Sequence, residues 1–265
     1  MLRAAGLSAS LFVMADNSKA PHPRPPVAKT QEHRSLWHGE WVNDPWFWLR
    51  EKTNPEVIGY LESENAYTEA STVEARAFGA ALYKEMLGRI QQTDLTVPVR
   101  RGGYDYYSRT EEGRQYALHC RRKASPDGAA DPKAAEEVLL DLNLLAQGQS
   151  FLELGGFATS DSGTALLYST DVTGFRQYSL YRKDLVTGKV SGPLAERVTS
   201  FEWSADGSFV LYTSEDPVTK RSNQLWRLAL DGGRPELVLE ERDELFALEL
   251  GRTKDHQGTS KNHSI

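Results

Sequence analysis

The sequence predicts a mainly β protein, in which an N-terminal α-helical arm precedes an incomplete array of about three repeated β-units. Three observations carry this. Apolar residues recur at helical spacing up to about Ile90, and alternate with a strand period after Thr93. A block of short strands and Asp-Gly turns then occurs twice, 44 positions apart. The chain ends at 265 residues, before a ring of such units can close.

The first 29 residues are expected to form an extended or disordered leader. Residues 1–15, Met-Leu-Arg-Ala-Ala-Gly-Leu-Ser-Ala-Ser-Leu-Phe-Val-Met-Ala, imitate a weak export signal. The apolar run is too short to span a bilayer, which takes about 20 residues. Met14-Ala15-Asp16-Asn17 has the look of a cytosolic start. The expectation is therefore a cytoplasmic protein, with export through residues 1–15 as the alternative. Pro21, Pro23, Pro25 and Pro26 then hold the chain extended, because proline fixes φ and biases its predecessor away from helix.

Residues 30–92 are assigned to a Trp-rich segment and the helical arm. Trp37, Trp41, Trp46 and Trp48 are four of the six tryptophans, with Phe47 among them. So much aromatic area implies either docking against a large partner surface or a local aromatic mini-core. A helix is predicted to start at Asn54-Pro55-Glu56, an N-cap, a first-position proline and an acid at the positive end of the dipole. Val57, Tyr60, Leu61, Glu64 and Tyr67 follow at helical spacing. A second helix is predicted over 73–90, with Val73, Ala77, Ala80, Ala81, Lys84 and Met86 setting its face.

Residues 93–250 are assigned to the β-array. Tyr104–Arg109 and Gln115–Arg121 flank a polar turn and predict a hairpin. Tyr116, Leu118 and Cys120 share one face, which makes Cys120 a buried structural thiol. His119 falls on the other face as a polar strand residue. Ser160-Asp161-Ser162-Gly163 recurs as Ser204-Ala205-Asp206-Gly207, and Leu166–Thr170 recurs as Val210–Ser214. Leu180-Tyr181-Arg182 recurs as Leu225-Trp226-Arg227, shifted by one more residue. Several short strands per unit at a period of roughly 40–50 residues are the mark of a β-propeller blade. A closed propeller takes about four to eight blades. At this period there is room for about three, with another starting near Leu245. An unclosed ring leaves edges and faces that invite pairing. Residues 251–265, Gly-Arg-Thr-Lys-Asp-His-Gln-Gly-Thr-Ser-Lys-Asn-His-Ser-Ile, are expected to be a polar tail.

Composition narrows the function. Thirty-one basic against 37 acidic side chains give a net charge of -6, unsuited to general nucleic-acid binding. No apolar run is long enough for a membrane helix. One cysteine permits neither an intrachain disulfide nor a cysteine zinc site. His33 and His38, with Glu32 and Glu40 nearby, read as surface polarity rather than metal ligands. Arg101-Gly102-Gly103 reads as a β-turn rather than a phosphate loop. Glu136-Glu137 and Glu240-Glu241 read as solvated charge, and Glu111-Glu112-Gly113 as a hairpin loop. No Gly-x-Ser-x-Gly nucleophile elbow exists, and Gly148-Gln149-Ser150-Phe151-Leu152 fails at its last position. No catalytic, cofactor-binding or metal residue is assigned, and no cofactor is expected.

Several segments resemble the N-terminal half of the prolyl oligopeptidase family of serine peptidases, its oligopeptidase B branch in particular. They are Pro25-Pro26-Val27-Ala28, Asp44-Pro45-Trp46-Phe47-Trp48-Leu49-Arg50 and Asn54-Pro55-Glu56-Val57. Tyr60–Thr68, Tyr106-Tyr107-Ser108-Arg109 and Glu137–Asn143 continue the likeness, which covers roughly residues 25–250. The resemblance implies an N-terminal arm packed on an α/β-hydrolase domain, and a seven-bladed propeller that keeps large substrates out. It also implies hydrolysis of short peptides after Lys or Arg. The Ser, Asp and His of that family lie in the hydrolase domain, which is absent from this chain. The chain is thus expected to lack catalysis by itself. A hydrolase domain, missing or on another chain, is expected to pack on the Trp37–Trp48 arm. The alternative is a stand-alone propeller-like binding module, completed by oligomerisation or a partner.

Overall fold

The computed structural model describes residues 23–125, 134–253 and 259–264, the last stretch as backbone only. Residues 1–22, most of the expected leader, lie outside the described residues. The chain divides after Ile90 into two compact units.

The first unit opens with a hairpin, β1 (Arg34–Trp37) and β2 (Glu40–Asn43). His38 and Gly39 turn it with positive φ at both central positions, the two-residue turn whose twist suits a hairpin. A single 3-10 turn, Phe47–Arg50, follows. Trp48 is buried there, its indole N–H donating to the Lys29 carbonyl at 3.0 Å. Helix α1 (Pro55–Ser71) starts where expected, the Asn54 side chain accepting from the Glu56 N–H at 3.0 Å. Helix α2 (Val73–Gly88) ends two residues before Ile90 and buries none of its residues. The face expected from Val73 and Met86 is solvent-exposed. Nor do the tryptophans form a mini-core. Only Trp48 is buried, whereas Trp37, Trp41 and Trp46 are 63%, 69% and 50% exposed. Spacing fixes which residues share a face, but not whether anything covers it.

The second unit consists of antiparallel meanders. The first sheet is β3 (Val99–Arg101), β4 (Tyr104–Arg109), β5 (Leu118–Lys123) and β6 (Glu136–Asp141). A one-turn helix α3 (Leu142–Leu145), capped by Asp141, leads on. The second sheet is β7 (Glu153–Thr159), β8 (Ala165–Asp171), β9 (Ser179–Asp184) and β10 (Val190–Ala195). The third is β11 (Val198–Trp203), β12 (Phe209–Glu215), β13 (Ser222–Ala229) and β14 (Glu236–Glu240). A two-stranded ladder, β15 (Ala247–Arg252) and β16 (Thr259–Ser264), begins a fourth unit. These are the three blades the repeat predicts, with another begun. The polar stretch expected as a tail differs in part. β15 runs on to Arg252, and Thr259–Ser264 pairs along it, because ladder bonds belong to the backbone and need no apolar side chain.

The repeat is geometric as well as sequential. Ser160 Oγ accepts from the Ala165 N–H at 3.1 Å, and Ser204 Oγ accepts from the Phe209 N–H at 3.0 Å. Gly163 and Gly207 supply positive φ in both turns. Tyr168 stands opposite Tyr181, and Tyr212 opposite Trp226, each pair stacked. Between the first and second sheets Leu139, Leu140, Leu152, Leu166 and Tyr168 are buried together. Leu167, Leu180, Val198, Trp203 and Val210 fill the space between the second and third. Every residue of β8 is therefore buried, since its sheet is covered on both faces. Leu225, Leu248 and Leu250 join the third sheet to β15.

Candidate functional site

The first strands of the four sheets gather at one side of the second unit. β11 lies between β7 and β15, and the ends of β3 and β7 line a common cavity. β3 and β7 pass into tight turns, at Gly102-Gly103 and at Ser160–Gly163, at this rim. That rim is a candidate site among the described residues.

Four arginines meet there, and three are neutralised. Arg100 makes two bonds to Asp105, at 2.9 and 3.2 Å, and this holds the Asp105 carboxyl below its ordinary range. Arg121, itself buried, grips Glu137 through two bonds at 2.7 and 3.0 Å. A third bond, 2.6 Å to the Gly163 carbonyl, ties the first sheet to the second, and the guanidinium lies over the Tyr104 ring. Arg252 bonds Asp161 at 2.8 and 2.5 Å, and that bond raises its pKa, with Glu202 adding to the effect. Arg101, at the end of β3, is exposed and has no carboxylate partner among the described residues. Arg100, Arg101, Tyr104 and Arg252 border a cavity of about 450 Å³ whose other walls include Gly102, Tyr106 and the Ser160–Gly163 turn.

A smaller cavity, about 240 Å³, lies between β3 and β7 over Val97, Tyr107, Cys120 and Phe157. Burial pushes the Cys120 thiol up to about 11, with Glu136 adding to the shift. His119 Nδ1 lies 2.8 Å from Ser108 Oγ, directly across the β4–β5 ladder, and its ring rests on Phe157. Burial lowers the His119 pKa. A serine beside a histidine is the beginning of a nucleophile, yet no carboxylate orients this imidazole among the described residues. His33 bonds Ser35 and stacks on Phe47, and His38 sits in its hairpin turn. Among the described residues no group of three His, Cys, Asp or Glu could hold a metal. No described helix is long and apolar enough to cross a membrane.

Two charge assignments change. Glu136 and Glu137, expected as solvated carboxylates, are both ion-paired, Glu136 to Arg109 and Glu137 to Arg121. Arg121 stands opposite Glu137 across β5 and β6, a pairing that only the register decides. Asp161 and Arg252 carried no signal as a pair, being 91 residues apart. The Ser-Asp-Ser-Gly turn could have marked Asp161, but nothing local marks its partner.

Compared with known proteins, residues 25–258 match the family model of the prolyl oligopeptidase N-terminal β-propeller domain. The chain belongs to the prolyl oligopeptidase family. Among its relatives is a dipeptidyl aminopeptidase BI from Pseudoxanthomonas mexicana, 36% identical over 87% of this chain and 34% of that protein. Another is protease 2 from Moraxella lacunata, 34% identical over 86% of this chain and 34% of that protein. The chain thus spans about a third of the length of these curated relatives. Of solved structures, oligopeptidase B from Leishmania major superposes with a TM-score of 0.80 at 25% identity, over 91% of this chain and 36% of that one. Oligopeptidase B from Trypanosoma brucei, with covalently bound antipain, gives 0.77 at 27% identity, over 90% and 35%. Every ladder among the described residues of this family member is antiparallel. The mostly parallel sheet of an α/β-hydrolase domain has no counterpart among them.

Proposed function

We propose that these 265 residues are the propeller-bearing N-terminal part of a serine oligopeptidase of the oligopeptidase B type. The whole enzyme hydrolyses short peptides after Lys or Arg, and this part restricts access without catalysing. The observation that carries the reading is the open ring itself. Three sheets and the start of a fourth bury their mutual faces, while Val99 of the first sheet and Val97 just before it remain 59% and 84% exposed. Faces of this kind are covered when blades continue around a ring. Exposed Trp37 and Trp41 suit docking of a hydrolase domain, since large aromatic rings dominate interface energetics. The lone buried Cys120 suits a reducing, cytoplasmic setting. A second reading, a binding module completed by another copy or a partner, is favoured by the same exposed faces.

The test has two parts. The purified chain is offered a fluorogenic short peptide ending in Arg and a fluorophosphonate serine reagent. Neither hydrolysis nor labelling is expected, and both together would overturn the reading. Source lysate is then blotted with an antibody raised to residues 150–240. The reading expects a band well above 29.6 kDa, whereas a sole band at that mass transfers support to the binding module.

A further inference from the structure

We infer that the groove between β6 of the first sheet and β9–β10 of the second is a binding site for an aliphatic carboxylate, its chain lying on the apolar walls and its head taken by Lys183. β6 and β10 are the last strands of their sheets, so the groove lies at the opposite edge from the rim cavity. The inference goes beyond the oligopeptidase reading and does not rest on it.

The walls call for an apolar chain. They enclose about 400 Å³, inside the range of about 300–1,000 Å³ usual for small-ligand pockets. Leu118, Leu140 and Tyr168 line the space and are buried. Val138, Leu144 and Val190 line it too, yet stay 38%, 60% and 47% exposed. Buried residues thus form the floor, and an apolar lip faces water. Covering apolar surface is favourable, and these three side chains offer a ligand no hydrogen bond. An alkyl chain covers them without leaving a polar group unpaired.

An ammonium in the same walls fixes the head group. Lys183 stands on β9, and its Nζ donates to the Leu139 carbonyl of β6 at 2.7 Å. An ammonium has three donors, and this one bonds nothing else among the described residues. Asp141 is the one carboxylate among the described lining residues, and it is engaged elsewhere. It pairs with Arg114 at 3.3 Å and accepts from the Asn143 and Leu144 N–H groups at 2.9 and 3.3 Å. Glu137, whose charge acts on Lys183, is gripped by Arg121 through two bonds. Burial lowers the Lys183 pKa, because a half-buried charge has lost part of its water. A carboxylate bonded to the amine restores that stabilisation. A neutral lipid uses only the walls and a small anion only the amine, whereas an aliphatic carboxylate uses both.

The experiment titrates the purified chain by calorimetry with dodecanoate and with dodecanol, each below its aggregation limit. The acid is expected to bind at least about tenfold more tightly than the alcohol. Dodecanoate should also protect Lys183 from acetylation by a succinimidyl ester, read by mass spectrometry, while the exposed Lys189 and Lys220 react as before. Lys183→Gln should make acid and alcohol bind alike, and Lys183→Arg should keep part of the preference. Lys183 also ties two sheets, so a second variant carries the test without touching that tie. Val138→Glu sets a carboxylate on the exposed lip, and should weaken dodecanoate binding at least about tenfold with circular dichroism and Tm unchanged. Equal binding of acid and alcohol, absence of binding, unprotected Lys183, or undiminished binding by Val138→Glu would each overturn the proposal. So would the peptide acid Ala-Ala-Phe binding as tightly as dodecanoate, which would make the groove a site for peptide ends. None of these results bears on serine labelling or on the mass of the native protein, so this site and the oligopeptidase reading fail separately.

Discussion

Arg252 and Asp161 close a two-bond ion pair across 91 residues of sequence. Arg252 ends β15 in the fourth ladder, and Asp161 lies in the turn after β7 in the second sheet. The pair passes over β11, which lies between those two strands. It is a tie between non-adjacent blades, and it holds the start of the fourth ladder against the rest.

Asp161→Asn should loosen that tie without changing its shape. The Arg252 side chain is 15% exposed but Asp161 is 46%, so solvent screens the pair. The expected loss is about 1 kcal/mol. Hydrogen exchange should quicken in β15 while β8 keeps its protection. The wild type should lose stability with added salt more than the variant does. Uniform exchange across both strands would show that the pair is not local to the fourth ladder.

Trp203→Phe should cost more. Trp203 is 3% exposed within the cluster between the second and third sheets. Its indole N–H donates to the Ala158 carbonyl of β7 at 2.9 Å. Phenylalanine removes that donor, leaves a buried carbonyl short of a partner and opens a small cavity. Urea denaturation should report a loss of about 2–4 kcal/mol. Trp226→Phe, at a half-buried position where the indole bonds the Ser214 hydroxyl, should cost less.

His119 predicts an acid-side weakness. Burial lowers its pKa below the ordinary 6.5, so the folded protein holds it neutral beside Ser108 and Phe157. The unfolded chain protonates it more readily. Its contribution is therefore present above about pH 6.5 and is lost as pH falls through the lowered value. Thermal midpoints measured from neutral to mildly acid pH should fall more steeply for the wild type than for His119→Gln. Parallel curves would remove His119 from the account.

Cys120 predicts a slow thiol. It is 1% exposed and pushed up to about 11 by burial. Because the thiolate is the reactive form, alkylation by iodoacetamide at about pH 8 should be on the order of a hundredfold slower than in concentrated urea. Mass spectrometry of the alkylated peptide gives both rates. Equal rates would mean that the β3–β7 cavity opens freely.

Much of this architecture was legible locally. Asn54-Pro55-Glu56 marked the start of α1, because caps act within a few residues. The two Ser–Gly turns and the Tyr168 and Tyr212 strands marked the blades, because backbone turns and strand pairing repeat with the same residues. The free cation of the candidate site was visible as Arg101 before Gly102-Gly103, though it read only as a turn.

By itself the sequence determined the helical arm, the blade repeat and the absence of a nucleophile elbow, all set by residues near one another in the chain. Only the tertiary structure decided which faces are covered and which charges are spent. Trp48 is buried while Trp37 is not, Glu137 is paired with Arg121, and Arg252 reaches Asp161. Burial and ion pairing depend on what packs opposite a side chain, and here that neighbour comes from another strand or another blade, at a distance no local pattern encodes.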